Sequence, residues 1–195
     1  MATPTAEHSA NLKHLLRYLA GTKDYCLMLK PTHTLPSFTT TKVPLEIHVY
    51  CDSDWAGCKR TRRSTTGTVT QLLGCTIHFC SRTLATVALS STEAETYAIG
   101  AGTSEALFLH QMLDEIGFFD KISLHLNTDS TGAEATCTRT GLSPKTKHMQ
   151  LRYIWLQETF TTKQCSLHKV GTADNLGDVL TKYVASTVLN DYWGN

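Results

Sequence analysis

No C-x-x-C pair occurs anywhere in the chain, and its seven cysteines (Cys26, Cys51, Cys58, Cys75, Cys80, Cys137 and Cys165) are an odd number. Zinc ribbons and disulfide frameworks need a different spacing, so free buried thiols in a reducing compartment are expected. No apolar run approaches the roughly 20 residues of a membrane span, and no signal peptide opens the chain. A soluble intracellular protein, not secreted, is the expectation. Charge of one sign is also missing: the formal net charge is +1, so no global field draws in a polyanion. Nucleic acid binding must therefore use local patches, and the densest is Lys59-Arg60-Thr61-Arg62-Arg63. Internal repeats and low-complexity segments are absent too.

What is present fits a globular core. Of 195 residues 41% are hydrophobic and 18% charged, suited to one ordinary domain with an appended segment. Leu12, Leu15, Leu16 and Leu19 form the stripe of an amphipathic helix over residues 7–20, with Gly21 as its stop. Tyr25–Lys30 reads as a short strand. The Thr-, Ser- and Pro-rich stretch from Pro31 to Pro44 reads as a connector and the best domain boundary. Beyond it, Leu45–Cys51 alternates as a strand. Thr65–Leu73 and Cys75–Ser81 follow as strands about a turn at Gly74, and Thr83–Leu89 reads as a further short strand. Ser90–Gly117 reads as a long helix whose stripe runs through Ala94, Ala98 and Ala101 to Leu109, Leu113 and Ile116. Ile122–Asn127 is a strand, a short helix starts near Thr131, a helix covers about 148–161, Cys165–Val170 is a last strand, and Asp174 caps a final helix. This order predicts an α/β fold: a mixed five-stranded sheet, antiparallel meander plus parallel strands, flanked by helices.

Carboxylates recur at the ends of these elements. Asp52 and Asp54 follow the first strand, Glu93 and Glu95 open the long helix, Asp129 follows a later strand, and Asp174 and Asp178 lie near the end. Each alone has a bland explanation as a turn or cap residue. Together, from four separate elements, they make the oxygen-rich set that Mg²⁺ and phosphoryl chemistry require. Ser90-Ser91-Thr92-Glu93 matches a capping box, which gives Glu93 a structural task. Glu95 lies about 200° further around the helix, on the face of Ala98 and Gly102, whose small size lets a helix approach a sheet. That singles out Glu95. Asp129 is either an N-cap or a site residue. Trp55 is expected to sit in the core or to anchor a loop rather than to stack on a ligand.

Six strings, "RYLAGTKDY" (17–25), "DSDWAGCKRTRRSTTG" (52–67), "SSTEAETYA" (90–98), "NTDSTGA" (127–133), "KTKHMQLRY" (145–153) and "ADNLGDVLTK" (173–182), resemble in order the ribonuclease H domain of copia-type LTR retrotransposon Pol polyproteins. The resemblance implies a ribonuclease H-like fold that hydrolyses the RNA strand of RNA–DNA hybrids at four carboxylates holding two Mg²⁺ or Mn²⁺ ions. Motif by motif, these carboxylates fall on Asp52, Glu95, Asp129 and Asp178. Asp54 is left as a loop-shaping or outer neighbour. A mobile-loop histidine of related ribonucleases H falls on His168, ten residues before Asp178, although copia-type members often lack it.

Arg60, Arg62, Arg63, Lys145 and Lys147 are the expected phosphate contacts. The resemblance further implies a reverse transcriptase domain of the parent polyprotein as partner, no membrane, and a cytoplasmic (virus-like particle) or nuclear location. It fixes no oligomeric state. The chain divides into an N-terminal adjunct and connector (1–43), the ribonuclease H-like domain (44–183) and a tail (184–195). Two other readings are a non-catalytic nucleic-acid-binding or tethering remnant of the same fold, and a DDE integrase or transposase. The latter normally places its Glu helix after the later strands, whereas here it directly follows the meander.

Overall fold

Alternation in the first core strand decides where the sheet's inner face lies. Leu45, Ile47, Val49 and Cys51 are all buried, while Glu46 between them is exposed. The computed structural model describes residues 3–27, 29–31, 43–139 and 150–184. In it the strand β1 spans Val43–Asp54, followed by β2 (Thr65–Leu72) and β3 (Cys75–Thr83). β1 and β2 pair antiparallel, as do β2 and β3. Leu73 (φ 53°) and Gly74 (φ 77°) join β2 to β3, a two-residue hairpin loop with both residues left-handed. β4 (Phe119–Thr128) and β5 (Ser166–Lys169) add parallel strands on the other side of β1, giving the order β3-β2-β1-β4-β5.

The helices are α1 (Ala6–Gly21), α2 (Ser91–Ile116), α3 (Thr131–Thr138) and α4 (Gln150–Thr161), and two 3-10 turns close the described chain at Thr172–Asp174 and Leu176–Leu180. α2 packs on β1, β4 and β2. It gets close because its buried face is small: Ala94, Ala98, Gly102 and Ala106. A Cβ at Gly102 would overlap Cys51 Sγ and come within 3.1 Å of Val49. Leu113, Leu124, Leu126, Ala133, Cys137, Leu156 and Cys165 complete the core with the β1 residues.

Several expected elements differ. β3 runs on to Thr83 and the chain then leaves the sheet, so Thr83–Leu89 is no fourth strand of the meander. Thr and Val favour strands, but the pairing ends with a 2.8 Å bond from the Leu84 amide to the Ser64 carbonyl. The described residues of Tyr25–Lys30 form no strand. The α2 stripe passes through Gly102, not Ala101, and both Ala101 and Ile116 face solvent. The expected final helix is a pair of 3-10 turns, and Asn175, not Asp174, caps the second: its Oδ1 accepts from the Gly177 amide at 3.2 Å. In α1, capped by a Thr5–His8 box, the four stripe leucines are each about half exposed. All seven cysteines are free thiols, but Cys26 is exposed and Cys58 and Cys80 are only half-buried, against the expected burial. Among the described residues no helix is long and apolar enough to cross a membrane.

Candidate metal centre

Asp52 sits near the end of β1 at 1% exposure. Its position in the middle of the sheet, opposite Gly67 of β2, would isolate a charge unless other groups met it there. Three elements supply them. The parallel register sets Cys51 beside Thr128, so Asp129 leaves β4 at the same edge. Ser130, not Asp129, caps α3, its Oγ accepting from the Ala133 amide at 3.2 Å, and Asp129 is thereby free for the site. Asp178 arrives on the last 3-10 turn. One oxygen from each of Asp52, Asp129 and Asp178 lies within 4.8 Å of the other two.

Glu95 comes from the first turns of α2. Ser90 Oγ accepts from the Glu93 amide at 3.1 Å, while Glu93 Oε2 accepts from the Leu89 amide at 2.8 Å, one residue earlier than a capping box would place it. Glu93 is thus tied to the helix start, and Glu95 faces the aspartates. Burial and the charges of Asp52 and Asp129 push its carboxyl up to about 8, with Lys182 pulling down and Asp178 adding to the rise. Glu95 Oε2 is buried and has no hydrogen-bond partner among the described residues. An orphaned carboxylate oxygen beside three aspartates is a hard, all-oxygen donor set, and a divalent cation of the Mg²⁺ type fits it.

Sequence reading missed the residues that hold this site together. Lys182 Nζ lies 2.8 Å from Asp178 Oδ1 and 3.6 Å from Asp52 Oδ1. Burial lowers its affinity for a proton, but the hydrogen bond to Asp178 and the charge of Asp52 outweigh that and raise its pKa overall. Asp178 is raised to about 6, chiefly by burial and by Asp52, against the pull of Lys182. The Thr181 hydroxyl donates to Asp52 Oδ2. Asn175, fully buried, donates from Nδ2 to the Cys51 carbonyl at 3.0 Å, pinning the last turn to β1. Gly177 completes the approach: a Cβ there would stand 2.9 Å from Asp52 N and 3.0 Å from Asp52 Cβ. The i,i+4 spacing of Asp178 and Lys182 was the available signal for that pair.

The other expected residues divide clearly. Asp54 accepts from the Thr65 amide and folds over Gly57, shaping the loop. Trp55 anchors the same loop, its indole N–H donating to the Ala88 carbonyl at 3.1 Å while 54% of its surface stays exposed. Arg60, Arg62 and Arg63 are exposed on the β1–β2 loop, closed by a 2.7 Å bond from the Arg62 amide to the Cys58 carbonyl. Lys145 and Lys147 lie outside the described residues. His168 is on β5, and its Nε2 meets Ser166 Oγ at 2.8 Å and His125 Nδ1 at 3.1 Å. The structure thus brings three aspartates together, sets Glu95 within reach of their charges, and gives His168 different neighbours.

No model of a protein family matches the chain. Over 192 residues it is 31% identical to the retrovirus-related Pol polyprotein from transposon RE1 of Arabidopsis thaliana, spanning 98% of this chain and 12% of that protein. The corresponding polyprotein from transposon TNT 1-94 of Nicotiana tabacum is 31% identical over 184 residues, 94% of this chain and 13% of that protein. The chain therefore spans about an eighth of the length of these relatives. Among solved structures, RNase H1 from the halophilic archaeon Halobacterium salinarum superposes with a TM-score of 0.50 at 21% identity, over 75% of this chain and 98% of that one. That likeness concerns the fold.

Proposed function

Starting from the premise that the chain belongs to the retrovirus-related Pol polyproteins of transposons and has the ribonuclease H fold, we propose that it hydrolyses the RNA strand of RNA–DNA hybrids by two-metal-ion chemistry. The supporting observation is the convergence of Asp52, Asp129 and Asp178 within 4.8 Å of one another, with Glu95 electrostatically coupled to all three and one of its oxygens left orphaned. In this reading those four residues hold the cations. When bound, Mg²⁺ or Mn²⁺ ions supply an activated water and neutralise charge on the leaving 3′ oxygen.

The chain's own residues do the rest. Asn175 and Gly177 keep Asp178 against Asp52, and α2 delivers Glu95 from a rigid helix. Arg60, Arg62 and Arg63 stand on the loop that leaves the Asp52 strand, where they would meet phosphates. Lys145 and Lys147 are assigned the same role. Choice of the RNA strand calls for contacts to 2′-hydroxyls. A part for His168 in proton transfer or product release would require its ring to leave Ser166 and His125. In the parent polyprotein a reverse transcriptase domain is the proposed partner, in a cytoplasmic particle or the nucleus.

One observation favours the non-catalytic alternative: the Lys182 ammonium already neutralises Asp52 and Asp178. A labelled RNA–DNA hybrid incubated with Mg²⁺, against an EDTA control, separates the two readings. Cleavage is expected with Mg²⁺ and none with EDTA. Asp52→Asn and Asp129→Asn should each keep the fold, by circular dichroism, and lose cleavage by about 10²–10³-fold, the scale of losing a central electrostatic group. Full activity in either variant would remove the assignment.

A further inference from the structure

The outer face of the sheet, opposite α2, carries a second cluster that the proposed reaction does not use. In the parallel β1–β4 register His48 stands directly beside His125, and His125 stands beside Ser166 of β5. The two imidazoles stack with centroids 4.8 Å apart and planes 17° from parallel. Glu46, two residues before His48 and hence on the same face, brings Oε2 to 3.4 Å from His48 Nε2. One ligand atom from each of Glu46, His48 and His125 lies within 4.8 Å of the others. We propose that Glu46, His48 and His125 form a second metal site, for a borderline transition-metal ion of the Zn²⁺ class, separate from the four carboxylates.

Three features carry this. The donor set, two imidazoles and one carboxylate with a remaining position for water, is one that Zn²⁺ takes and Mg²⁺ does not favour. The His48–Glu46 separation of 3.4 Å equals the edge of a tetrahedron with metal–ligand bonds of about 2.0–2.1 Å. The two nitrogens of His125 are also unequal. Its Nδ1 is held by Ser166 Oγ at 2.9 Å and His168 Nε2 at 3.1 Å, whereas Nε2 is buried with no hydrogen-bond partner among the described residues. A ring fixed through one nitrogen, with the other left free, is the arrangement by which outer partners orient a metal-bound histidine. Ser166 and His168 are thus positioning residues, and Glu46 and His48, both substantially exposed, leave the site open to solvent. His48 and His125 each precede an aspartate of the first centre, Asp52 and Asp129, by four residues. An ion on this face would clamp the two strands that carry those aspartates.

The test is calorimetric titration of Zn²⁺ into the full chain, free of any histidine tag and stripped with chelator. It is run on the wild type, on Asp52→Asn/Asp129→Asn, on His48→Gln/His125→Gln, and on the exposed-site variants Glu46→Gln and His168→Gln. One tight equivalent should bind to the wild type and to the double aspartate variant, and that equivalent should be lost in the double histidine variant, where the carboxylate centre alone remains. Glu46→Gln and His168→Gln, whose folding is checked by circular dichroism, should each weaken binding roughly 10- to 100-fold. Co²⁺ in place of Zn²⁺ should show the visible absorption of a four-coordinate ion in the wild type and lose it in Glu46→Gln. The proposal is overturned if the wild type binds no Zn²⁺ or if binding disappears with the aspartates. It is equally overturned if the folded Glu46→Gln and His168→Gln variants bind as tightly as the wild type, which would assign the ion to cysteines and the rings to cross-strand packing.

Discussion

Glu95→Gln should stabilise the metal-free protein at alkaline pH, and the gain should vanish at acid pH. In the folded chain Glu95 is raised from 4.5 to about 8, by burial first and then by Asp52 and Asp129. The folded state therefore binds this proton more tightly than the unfolded state does. Its contribution to stability is complete below about pH 4.5 and is lost as pH climbs to about 8. At about 1.36 kcal/mol per pH unit, the full loss is on the order of 4 kcal/mol, somewhat less for a side chain that keeps some solvent contact. Gln carries no charge, so this component disappears in the variant. Asp178, raised to about 6, loses stability in the same direction at lower pH in both proteins. His125, lowered by burial and by His48 and held back by Glu46, works the opposite way and cancels in the difference, whereas Asp178, whose charge acts on Glu95, cancels only in part.

Urea unfolding in EDTA, of wild type and Glu95→Gln at pH 5, 6.5 and 8.5, reads that difference directly. The variant should be within about 1 kcal/mol of wild type at pH 5 and more stable by roughly 3–4 kcal/mol at pH 8.5. Mg²⁺ added to the wild type at pH 8.5 should recover much of the gap, because a cation replaces the proton. Parallel curves for the two proteins across this range would refute the electrostatic picture of the site.

Other outcomes follow from the same geometry. Gly177→Ala forces a methyl against the Asp52 backbone and should lower the melting temperature while reducing cleavage at least about tenfold, a strain of roughly 1–3 kcal/mol. Lys182→Met removes the cation between Asp178 and Asp52, so half-maximal cleavage should need several-fold less Mg²⁺ in a metal titration. Arg62→Glu/Arg63→Glu should weaken hybrid binding and flatten its dependence on log salt by about one unit for each phosphate no longer neutralised, as read by filter binding at several salt concentrations.

The sheet and its acids were legible because each rests on local rules. Alternation at Leu45, Ile47, Val49 and Cys51 marks β1, and the Ser90 cap distinguishes Glu93 from Glu95. What depended on pairing across the chain was not legible. Thr83–Leu89 has strand-forming residues, yet only Thr83 and Leu84 keep a bonding neighbour, in Thr65 and Ser64. The final segment reads as helical, yet it is wound as 3-10 turns where Gly177 meets Asp52, and Asn175 rather than Asp174 caps it. The reach of Lys182 to Asp52, and the alignment of Glu46 and His48 with His125, emerge only from the chain's closure and the β1–β4 register, which no single segment encodes.

Cys51 gives the site a built-in clock. It lies fully buried beneath Gly102, next in sequence to Asp52, and burial with the charges of Glu95, Cys137 and Asp52 holds its thiol protonated. A protonated, enclosed thiol does not react with alkylating reagents, so its modification rate reports how often α2 lifts from β1. Cys26 is exposed by comparison and reacts without any opening, providing an internal reference in the same molecule. Whatever steadies the carboxylates beside Cys51 slows one thiol and leaves the other unchanged, which makes occupancy of the centre readable by mass spectrometry without a nucleic acid substrate.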